Sequence, residues 1–252
     1  CLVGSEMCIR DSRATVLQFL DLMADGSEEE RACTAESELS ELFKGNKTDW
    51  VYSVTTLAAP LNGTTAYYIK DEILSDKNAT AEELLVACAV GILTEPIPDG
   101  RNKLDNAGYD MEIDRAMSLC DTWETQKGVY YFSYACDVTY LDENGVRTFE
   151  RNDLELLFRG SAGRITNWSG ETPSGYKLDE KWQANDGLVN TVSALAPYNA
   201  ERVDYDKDNI KPGVWNVMPI YHGDHMSLQG GMLNTNNIRL FYAEHLSTIN
   251  KL

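Results

Sequence analysis

Two short segments carry the side chains best suited to acid–base chemistry. The segment IYHGDHMSLQG, residues 220–230, holds His222 and His225, two of the three histidines in the chain. The segment WQANDGLVNTVS, residues 182–193, holds Asp186, which precedes His225 by 39 residues. A histidine that acts as a general base needs a carboxylate to hold its tautomer and to stabilise the imidazolium ion. The sequence therefore predicts that Asp186 and His225 meet as such a pair.

Other interpretations of the same residues stay open at this level. A single histidine in a loop is more often a surface residue than a catalyst. Asn-Asp-Gly is a common turn sequence, because all three residues tolerate left-handed backbone conformations. A third possibility makes His222, Asp224 and His225 metal ligands, although their spacing matches no recognised ligand pattern. Spacing alone does not decide between these interpretations.

Helical patterns frame both ends of the chain. Apolar residues recur at helical spacing from residue 13, and Asp25-Gly26 supplies a C-terminal stop. Ser27 and Glu30 fit a capping box that opens a second helix or turn. Residues 80–93 predict an apolar helix. The last segment predicts a helix with one apolar face: Ile238, Phe241, Tyr242, Leu246 and Ile249.

Three apolar runs between these helices predict buried strands, at residues 50–60, 128–140 and 212–221. Helices that alternate with nearly continuous apolar strands favour an α/β fold with a mostly parallel sheet. His225 and Asp186 then lie in loops, and His225 follows the carboxyl end of a strand, where open α/β sheets bind their ligands. The polar, glycine-rich stretch 142–180 predicts a surface excursion and not core.

The composition excludes several classes of protein. With 22 basic and 40 acidic residues, the formal net charge of −18 would repel a nucleic acid backbone. No run reaches the roughly 18 consecutive apolar residues of a membrane-spanning helix. The six cysteines form no C-x-x-C pair and no framework spacing, so neither a zinc ribbon nor a disulfide scaffold is indicated.

The first twelve residues, CLVGSEMCIRDS, differ in character from the amphipathic segment that begins at residue 13. They have no periodicity, and the DNA obtained by back-translating them resembles a transposase adaptor used in preparing sequencing libraries. We therefore expect residues 1–12 to be an adaptor-like artefact and exclude them from the prediction of fold.

Several motifs together resemble the bacterial triacylglycerol lipases of the staphylococcal and thermophilic Bacillus group. They occur in the order expected for that family over about residues 13–250: TVLQFLDLMADGSEEE, SVTTLAAPLNGTT, YDMEIDRAM, GVYYFSYACDVTY, NDGLVNTVS and GVWNVMPIYHGDHM. The last two are fairly specific, whereas the others carry weight only as an ordered set. The resemblance implies an α/β-hydrolase fold, and it implies that residues 13–252 are the C-terminal part of one such domain, secreted from the cell.

The resemblance also implies roles for particular residues. Asp186 and His225 match the acid and the base of the family's Ser-His-Asp triad, in the chain order Ser, Asp, His. The chain contains no G-x-S-x-G sequence. In the family that turn immediately precedes the helix that begins here near Thr15, so its serine would fall near positions 8–10. We therefore expect the chain as given to be inactive, although its intact parent hydrolyses carboxylic esters at an oil–water interface.

Metal sites and a lid are further implications of the resemblance. Asp110 matches an aspartate of the family's zinc site, although the other ligands lie outside this chain, and it could instead cap the helix that begins just after it. Ser227 replaces the carboxylate of a calcium site, so calcium is not supported there, and no cofactor is needed for the chemistry. Leu61 and Asn62 replace a histidine and an aspartate of the family pattern. Residues 81–93 fall where such lipases carry a lid, although core packing explains their apolar character equally well.

Two other functions remain open on the sequence alone. One is a non-catalytic domain that binds carbohydrate or a surface through aromatic residues of the 142–180 region, with Tyr140, Trp168 and Tyr176 as the contacts. The other is an α/β-hydrolase that acts on other esters or on amides.

Overall fold

The computed structural model of the protein describes residues 2–4, 12–94, 107–231 and 238–252. The positions 8–10 considered for the nucleophile lie outside these ranges. The described helices are α1 (Ser12–Asp25), α2 (Glu28–Cys33), α3 (Ala66–Ser75), α4 (Ala81–Thr94), α5 (Ala107–Asp110), α6 (Ile113–Cys120), α7 (Leu156–Asn167) and α8 (Ile238–Ile249). Short 3-10 turns join several of them.

The described strands divide into one larger sheet and three small pairs. They are β1 (Leu2–Gly4), β2 (Ser53–Leu57), β3 (Tyr130–Tyr134), β4 (Cys136–Asp137), β5 (Thr139–Leu141), β6 (Arg147–Phe149), β7 (Gly170–Glu171), β8 (Lys177–Leu178), β9 (Arg202–Asp204), β10 (Trp215–Val217) and β11 (Tyr221–His222). The larger sheet has the order β1-β2-β3-β10-β9, and every neighbouring pair in it is parallel. The predicted α/β fold with a mostly parallel sheet is confirmed.

Both faces of the sheet are covered by helices. Successive side chains of a strand point to opposite faces. Val54 of β2 and Tyr131 of β3 therefore pack in one buried cluster with Leu20 of α1. The next residues along these strands, Thr55 and Phe132, meet His245 of α8 on the other face. Coverage on both faces explains why the strands are almost continuously apolar in sequence.

The prediction that the segment 142–180 is a surface excursion is wrong for its middle part, whereas most residues on either side of that part are exposed or half-buried. The segment contains α7, whose Phe158, Ala162 and Ile165 are buried in the main core cluster together with residues of α3 and α4. Gly160 is the reason the helix escaped prediction. A Cβ at that position would lie 2.5 Å from backbone atoms of α4, so glycine here permits a close helix–helix contact and does not mark a loop.

Two of the three apolar runs are divided into separate strands. The run at 128–140 divides into β3, β4 and β5, since after Tyr134 the chain leaves the larger sheet and β4 pairs instead with β11. The run at 212–221 divides into β10 and β11, and Pro219 between them has no N–H to continue a ladder. The strand predicted within 50–60 is confirmed as β2, which spans Ser53–Leu57 of that run.

The terminal helices agree with prediction in position but not in every buried residue. The first helix ends as predicted at Asp25, where Gly26 takes a positive φ of 78°. Ser27 caps α2 by accepting the Glu30 amide, although the helix ends at Cys33. In α8, Leu246 is 48% exposed and His245 is buried, so the predicted apolar face is wrong at that position. None of the helices in the described ranges is long and apolar enough to cross a lipid bilayer.

Candidate active site

The structure brings Asp186 and His225 into direct contact. Asp186 Oδ2 lies 2.9 Å from His225 Nδ1, and the two side chains are only 1% and 4% exposed. The loops are joined by backbone as well, because the His225 amide donates to the Asp186 carbonyl oxygen at 2.9 Å. With Asp186 ionised, Nδ1 carries the proton that the carboxylate accepts, and Nε2 is the ring nitrogen that does not face this carboxylate.

The Asp186 carboxylate is held by its own turn. Its Oδ1 accepts the amides of Leu188 at 3.0 Å and Val189 at 2.7 Å, which leaves Oδ2 for the histidine. Gly187 takes a φ of +93°, and a Cβ there would lie 2.7 Å from the Cβ of Phe158. The Asn-Asp-Gly sequence is therefore a turn, as the simpler interpretation held, and the same turn presents its carboxylate to the histidine.

The imidazole of His225 packs against an aromatic ring, and its loop is held by the preceding residue, Asp224. The ring of Phe158, on α7, meets the imidazole edge to face with centroids 5.8 Å apart. The neighbouring Asp224 is buried and accepts hydrogen bonds from the Glu155 amide at 2.8 Å, the Met226 amide at 3.1 Å and the Ser227 hydroxyl at 3.0 Å. Burial raises the pKa of Asp224, although these donors oppose the shift. The histidine loop is thereby tied to the start of α7.

Sequence reasoning missed these supporting residues. Phe158 lies in the stretch that was predicted to be a surface excursion, so its contact with His225 had no signal in the pattern. Asp224 was considered only as a metal ligand. The one signal in the sequence was that Asp224 directly precedes His225.

The alternative metal arrangement is not assembled. His222 is mostly exposed, and its Nε2 lies 3.6 Å from Asp153 Oδ2. Asp224 makes the backbone contacts described above. Within the described ranges, no group of three or more His, Cys, Asp or Glu side chains is arranged to hold a metal ion. The polar contacts of His222 and Asp224 are therefore distinct from the contact between Asp186 and His225.

Asp110 lies at the end of α5, away from any such group within the described residues. Its Oδ1 is 3.4 Å from Nε of Arg115, in an ion pair. The cap of the next helix, α6, is Glu112, which accepts the Arg115 amide, so the prediction that Asp110 caps it is wrong. A zinc role for Asp110 stays a prediction.

Other residues singled out in the sequence have structural partners. Asn62 is buried, and its side chain bonds the carbonyl oxygen of Ala196 and the amide of Tyr198. Leu61 is fully buried. The helix α4, considered as a lid, buries Val86 and Ala87 in the core while Leu84 and Leu85 remain 40% and 45% exposed.

The three aromatic residues considered for carbohydrate binding have separate neighbours. Trp168 stacks on Tyr68 with ring centroids 5.6 Å apart. Tyr176 packs edge-on against Trp182, and Tyr140 donates a hydrogen bond to Glu150. These contacts give no indication that the three rings form one binding platform.

Comparison with known proteins places the chain in a family. A family model described as "Lipase-like, C-terminal domain" matches residues 101–242. Among curated relatives, Lipase 1 of Staphylococcus aureus strain MRSA252 is 26% identical over 91% of this chain and 35% of the relative. Lipase 2 of Staphylococcus aureus matches with the same identity and coverage. The chain thus spans about a third of the length of these relatives.

Solved structures give the same result at the level of the fold. EstA from Clostridium botulinum superposes with a TM-score of 0.73 at 26% identity, covering 95% of this chain and 62% of that one. Lipase 1 from Pelosinus fermentans gives 0.66 at 26% identity, with 93% and 69% covered. Staphylococcus hyicus lipase gives 0.65 at 22% identity, with 95% and 68% covered, and shows the fold alone. From the sheet, the ordered motifs and these matches together, we conclude that the chain belongs to the lipase-like C-terminal domain family.

Proposed function

We propose that this chain supplies the acid and the base of a lipase-like carboxylic ester hydrolase. The observation that carries the proposal is the 2.9 Å contact between Asp186 Oδ2 and His225 Nδ1 inside a buried site. The family assignment and the named lipases among the relatives support the same reaction class. The substrate is then a lipid or another carboxylic ester.

His225 takes the proton from an attacking serine hydroxyl through Nε2, as the hydroxyl oxygen bonds to the ester carbonyl carbon. It returns that proton to the leaving alcohol when the tetrahedral intermediate collapses to the acyl-enzyme. A water molecule then repeats the sequence on the acyl-enzyme and releases the carboxylic acid. Asp186 holds Nδ1–H throughout and stabilises the imidazolium ion that forms in each half of the reaction.

The given sequence has no serine within the G-x-S-x-G turn that usually carries the nucleophile of such a triad. Since no G-x-S-x-G turn occurs in the 252 residues, we infer that the nucleophile and the oxyanion-hole amides belong to an upstream segment of the intact enzyme. The chain as given is then inactive by itself. The intact parent works outside the cell, as the resemblance to secreted lipases implies.

The test uses an intact gene copy that restores the upstream region, with p-nitrophenyl butyrate as substrate. His225→Ala and Asp186→Asn are compared with His222→Ala, a matched control at the exposed histidine that ends β11, three residues before His225. We expect activity to be lost in the first two variants and kept in the control. Full activity in either of the first two would refute the assignment.

A second experiment addresses the nucleophile and the substrate. A fluorophosphonate probe should label the restored enzyme on serine and leave the 252-residue chain unlabelled. Labelling of the shorter chain would overturn the inferred location of the nucleophile. A panel of triolein, p-nitrophenyl butyrate and its anilide counterpart separates a lipase from an enzyme that prefers small esters or amides.

A further inference from the structure

The residue directly before His225 lies at the junction between the histidine loop and the start of α7. Asp224 is 3% exposed and belongs to the short loop that follows β11. One oxygen of its carboxylate accepts the amide of Glu155, and the other accepts two donors from its own loop. The proton transfers proposed above assign Asp224 no role, although it is buried beside the residue that performs them.

The contacts of Asp224 need both of its oxygens as acceptors. The Glu155 amide lies 2.8 Å from Oδ2, whereas the amide of Met226 and the hydroxyl of Ser227 lie 3.1 Å and 3.0 Å from Oδ1. Only the carboxylate form accepts at both positions without offering a proton of its own. Hydrogen bonds to an ionised acceptor are roughly twice as strong as those between neutral groups. The loop and the start of α7 are therefore held in one arrangement by a single side chain.

The contact with Glu155 connects this side chain to the surroundings of the imidazole. Glu155 is the N-cap residue of α7, and one turn later Phe158 donates its amide to the Glu155 carbonyl oxygen at 2.9 Å. The ring of Phe158 meets the ring of His225 edge to face. Loss of the Asp224–Glu155 contact would therefore let the histidine loop move relative to the ring that packs on it.

A bound calcium ion is another way to hold a loop through its carboxylates. Ser227 stands where the family resemblance places a carboxylate ligand of calcium, and its hydroxyl donates to Asp224. Asp224 has protein donors at both oxygens. Among the residues that the structure describes, no three or more His, Cys, Asp or Glu side chains are grouped so that they could hold a metal ion. This set of donors does not fit calcium.

We propose that Asp224 is a positioning residue, which fixes the loop of His225 against the start of α7 through direct hydrogen bonds and without a cation. It acts on the reaction only by keeping the imidazole in place beside Asp186, and it contacts neither the substrate nor the reacting atoms. Its effect on rate rests on the proposed ester hydrolysis, whereas its effect on the imidazole can be measured on the chain alone.

The first experiment records the His225 Nδ1–H resonance of the 252-residue chain by ¹H NMR. Asp224→Asn keeps the shape of the side chain but replaces one acceptor oxygen by an NH2 group, which faces a donor whichever way the amide is turned. We expect the resonance to shift and to exchange faster with water, while circular dichroism still shows a folded chain. Asp153→Asn, at an exposed aspartate just before α7, is the matched control and should leave the resonance unchanged.

The second experiment measures hydrolysis of p-nitrophenyl butyrate by the restored enzyme. Asp224→Asn should lower kcat by about 10²-fold with little change in KM, because a small displacement of a catalytic group has an effect of that order. Ser227→Ala removes one of the three donors and should alter kcat and the resonance in the same direction by less. Addition of calcium to the unchanged enzyme after dialysis against EGTA should not raise kcat.

Other results would overturn the proposal. An unaltered His225 resonance in folded Asp224→Asn would show that the loop does not need this carboxylate. If Asp224→Asn does not fold, an unaltered resonance and kcat in Ser227→Ala would count against the proposal in the same way. A rise in KM with kcat unchanged would place Asp224 in substrate binding.

The metal and the reaction are separated by two further outcomes. Recovery of kcat with calcium but not with zinc would show that a cation holds the loop and that the direct hydrogen bonds do not suffice. If the restored enzyme hydrolyses no ester while Asp224→Asn still shifts the His225 resonance, the proposed reaction is wrong and the positioning of the imidazole by Asp224 is supported.

Discussion

His225 and His245 are equally buried, at 3% exposure each, but their surroundings differ in kind. His225 sits in a loop and meets the carboxylate of Asp186. His245 sits on α8 under the sheet, where Nε2 lies 2.7 Å from Thr55 Oγ1 and Nδ1 lies 2.9 Å from Tyr134 Oη. One imidazole has a charged partner, and the other has two hydroxyl groups.

The aromatic packing strengthens the contrast. The rings of Phe132 and Tyr134 each meet the His245 ring edge to face with centroids 5.3 Å apart. Burial lowers the pKa of His245 to about 4, because removal from water disfavours the charged form of the imidazole. His245 therefore stays neutral at physiological pH and joins α8 to β2 and β3.

The comparison teaches that burial alone does not identify a histidine that transfers protons. What distinguishes His225 is a carboxylate within hydrogen-bond reach and a position beyond a strand end, where a ligand can approach. His225 variants should therefore alter activity, and His245 variants should alter stability. Mutation and changes of pH can test that division, from the largest expected effect to the smallest.

In the restored enzyme, His225→Ala should lower kcat by a factor on the order of 10⁶, since both proton transfers depend on it. Steady-state hydrolysis of p-nitrophenyl butyrate measures the effect. His245→Gln serves as the comparison and should keep kcat per folded molecule within a few-fold. A comparable loss of kcat in His245→Gln would break the distinction between the two histidines.

Asp186→Asn should lower kcat by about 10⁴-fold, because an amide favours the wrong tautomer of His225 while it preserves the shape of the turn. The Leu188 and Val189 amides can still bond to the side-chain oxygen, so the free energy of unfolding should change far less than the activity does. Circular dichroism and urea unfolding of the same sample check that second expectation. A variant that is unfolded, and inactive for that reason only, would contradict this account of the turn.

The pH dependence of stability should reveal His245. Its pKa in the folded chain is about 4, below the usual value of 6.5, so the unfolded chain binds more protons between these values. The neutral histidine therefore contributes stability that is complete above about pH 6.5 and is lost as the pH falls towards 4. The shift corresponds to about 3 kcal/mol.

Urea unfolding at pH 7 and at pH 4.5 measures this contribution when the unchanged chain is compared with His245→Gln. The unchanged chain should lose more stability on acidification than the variant does. Parallel losses in both would show that other groups, and not His245, set the acid sensitivity.

His245→Leu should lower the free energy of unfolding by about 1–3 kcal/mol at pH 7, since it leaves the hydroxyls of Thr55 and Tyr134 without their ring partners. Thr55→Val in the His245→Leu background should cost less than Thr55→Val alone. Double-mutant cycles by urea unfolding measure the coupling. Strictly additive effects would show that the hydroxyl–imidazole contact contributes nothing specific.

The sequence predicted the Asp186–His225 pair better than it predicted the residues that hold this pair in position. Asp186 and His225 lie in short motifs whose residue types suggest acid–base chemistry, and their loops could be placed at strand ends from the pattern. Phe158 and Asp224 gave no comparable signal, because what matters about them is a tertiary contact. The buried role of His245 had only a weak signal, its spacing between Phe241 or Tyr242 and Ile249 on the helical face.

The fold shows the same division between local pattern and tertiary contact. The strand β2 and the helices α1 and α4 follow apolar runs and caps that are visible in the sequence. The helix α7 was missed because Gly160 and Gly163 are typical of loops, whereas Gly160 is required by the close approach of α4. The breaks within the runs 128–140 and 212–221 depend on the pairing of β4 with β11, which no local pattern encodes.

The most direct test of the central claim is the Nδ1–H resonance of His225, recorded by ¹H NMR on the 252-residue chain. A histidine N–H that is buried and donates to a carboxylate is strongly deshielded and protected from exchange with water. We predict one such resonance that is present in His222→Ala and absent in both His225→Ala and Asp186→Asn. Its absence from the unchanged chain, or its persistence in Asp186→Asn, would contradict the account.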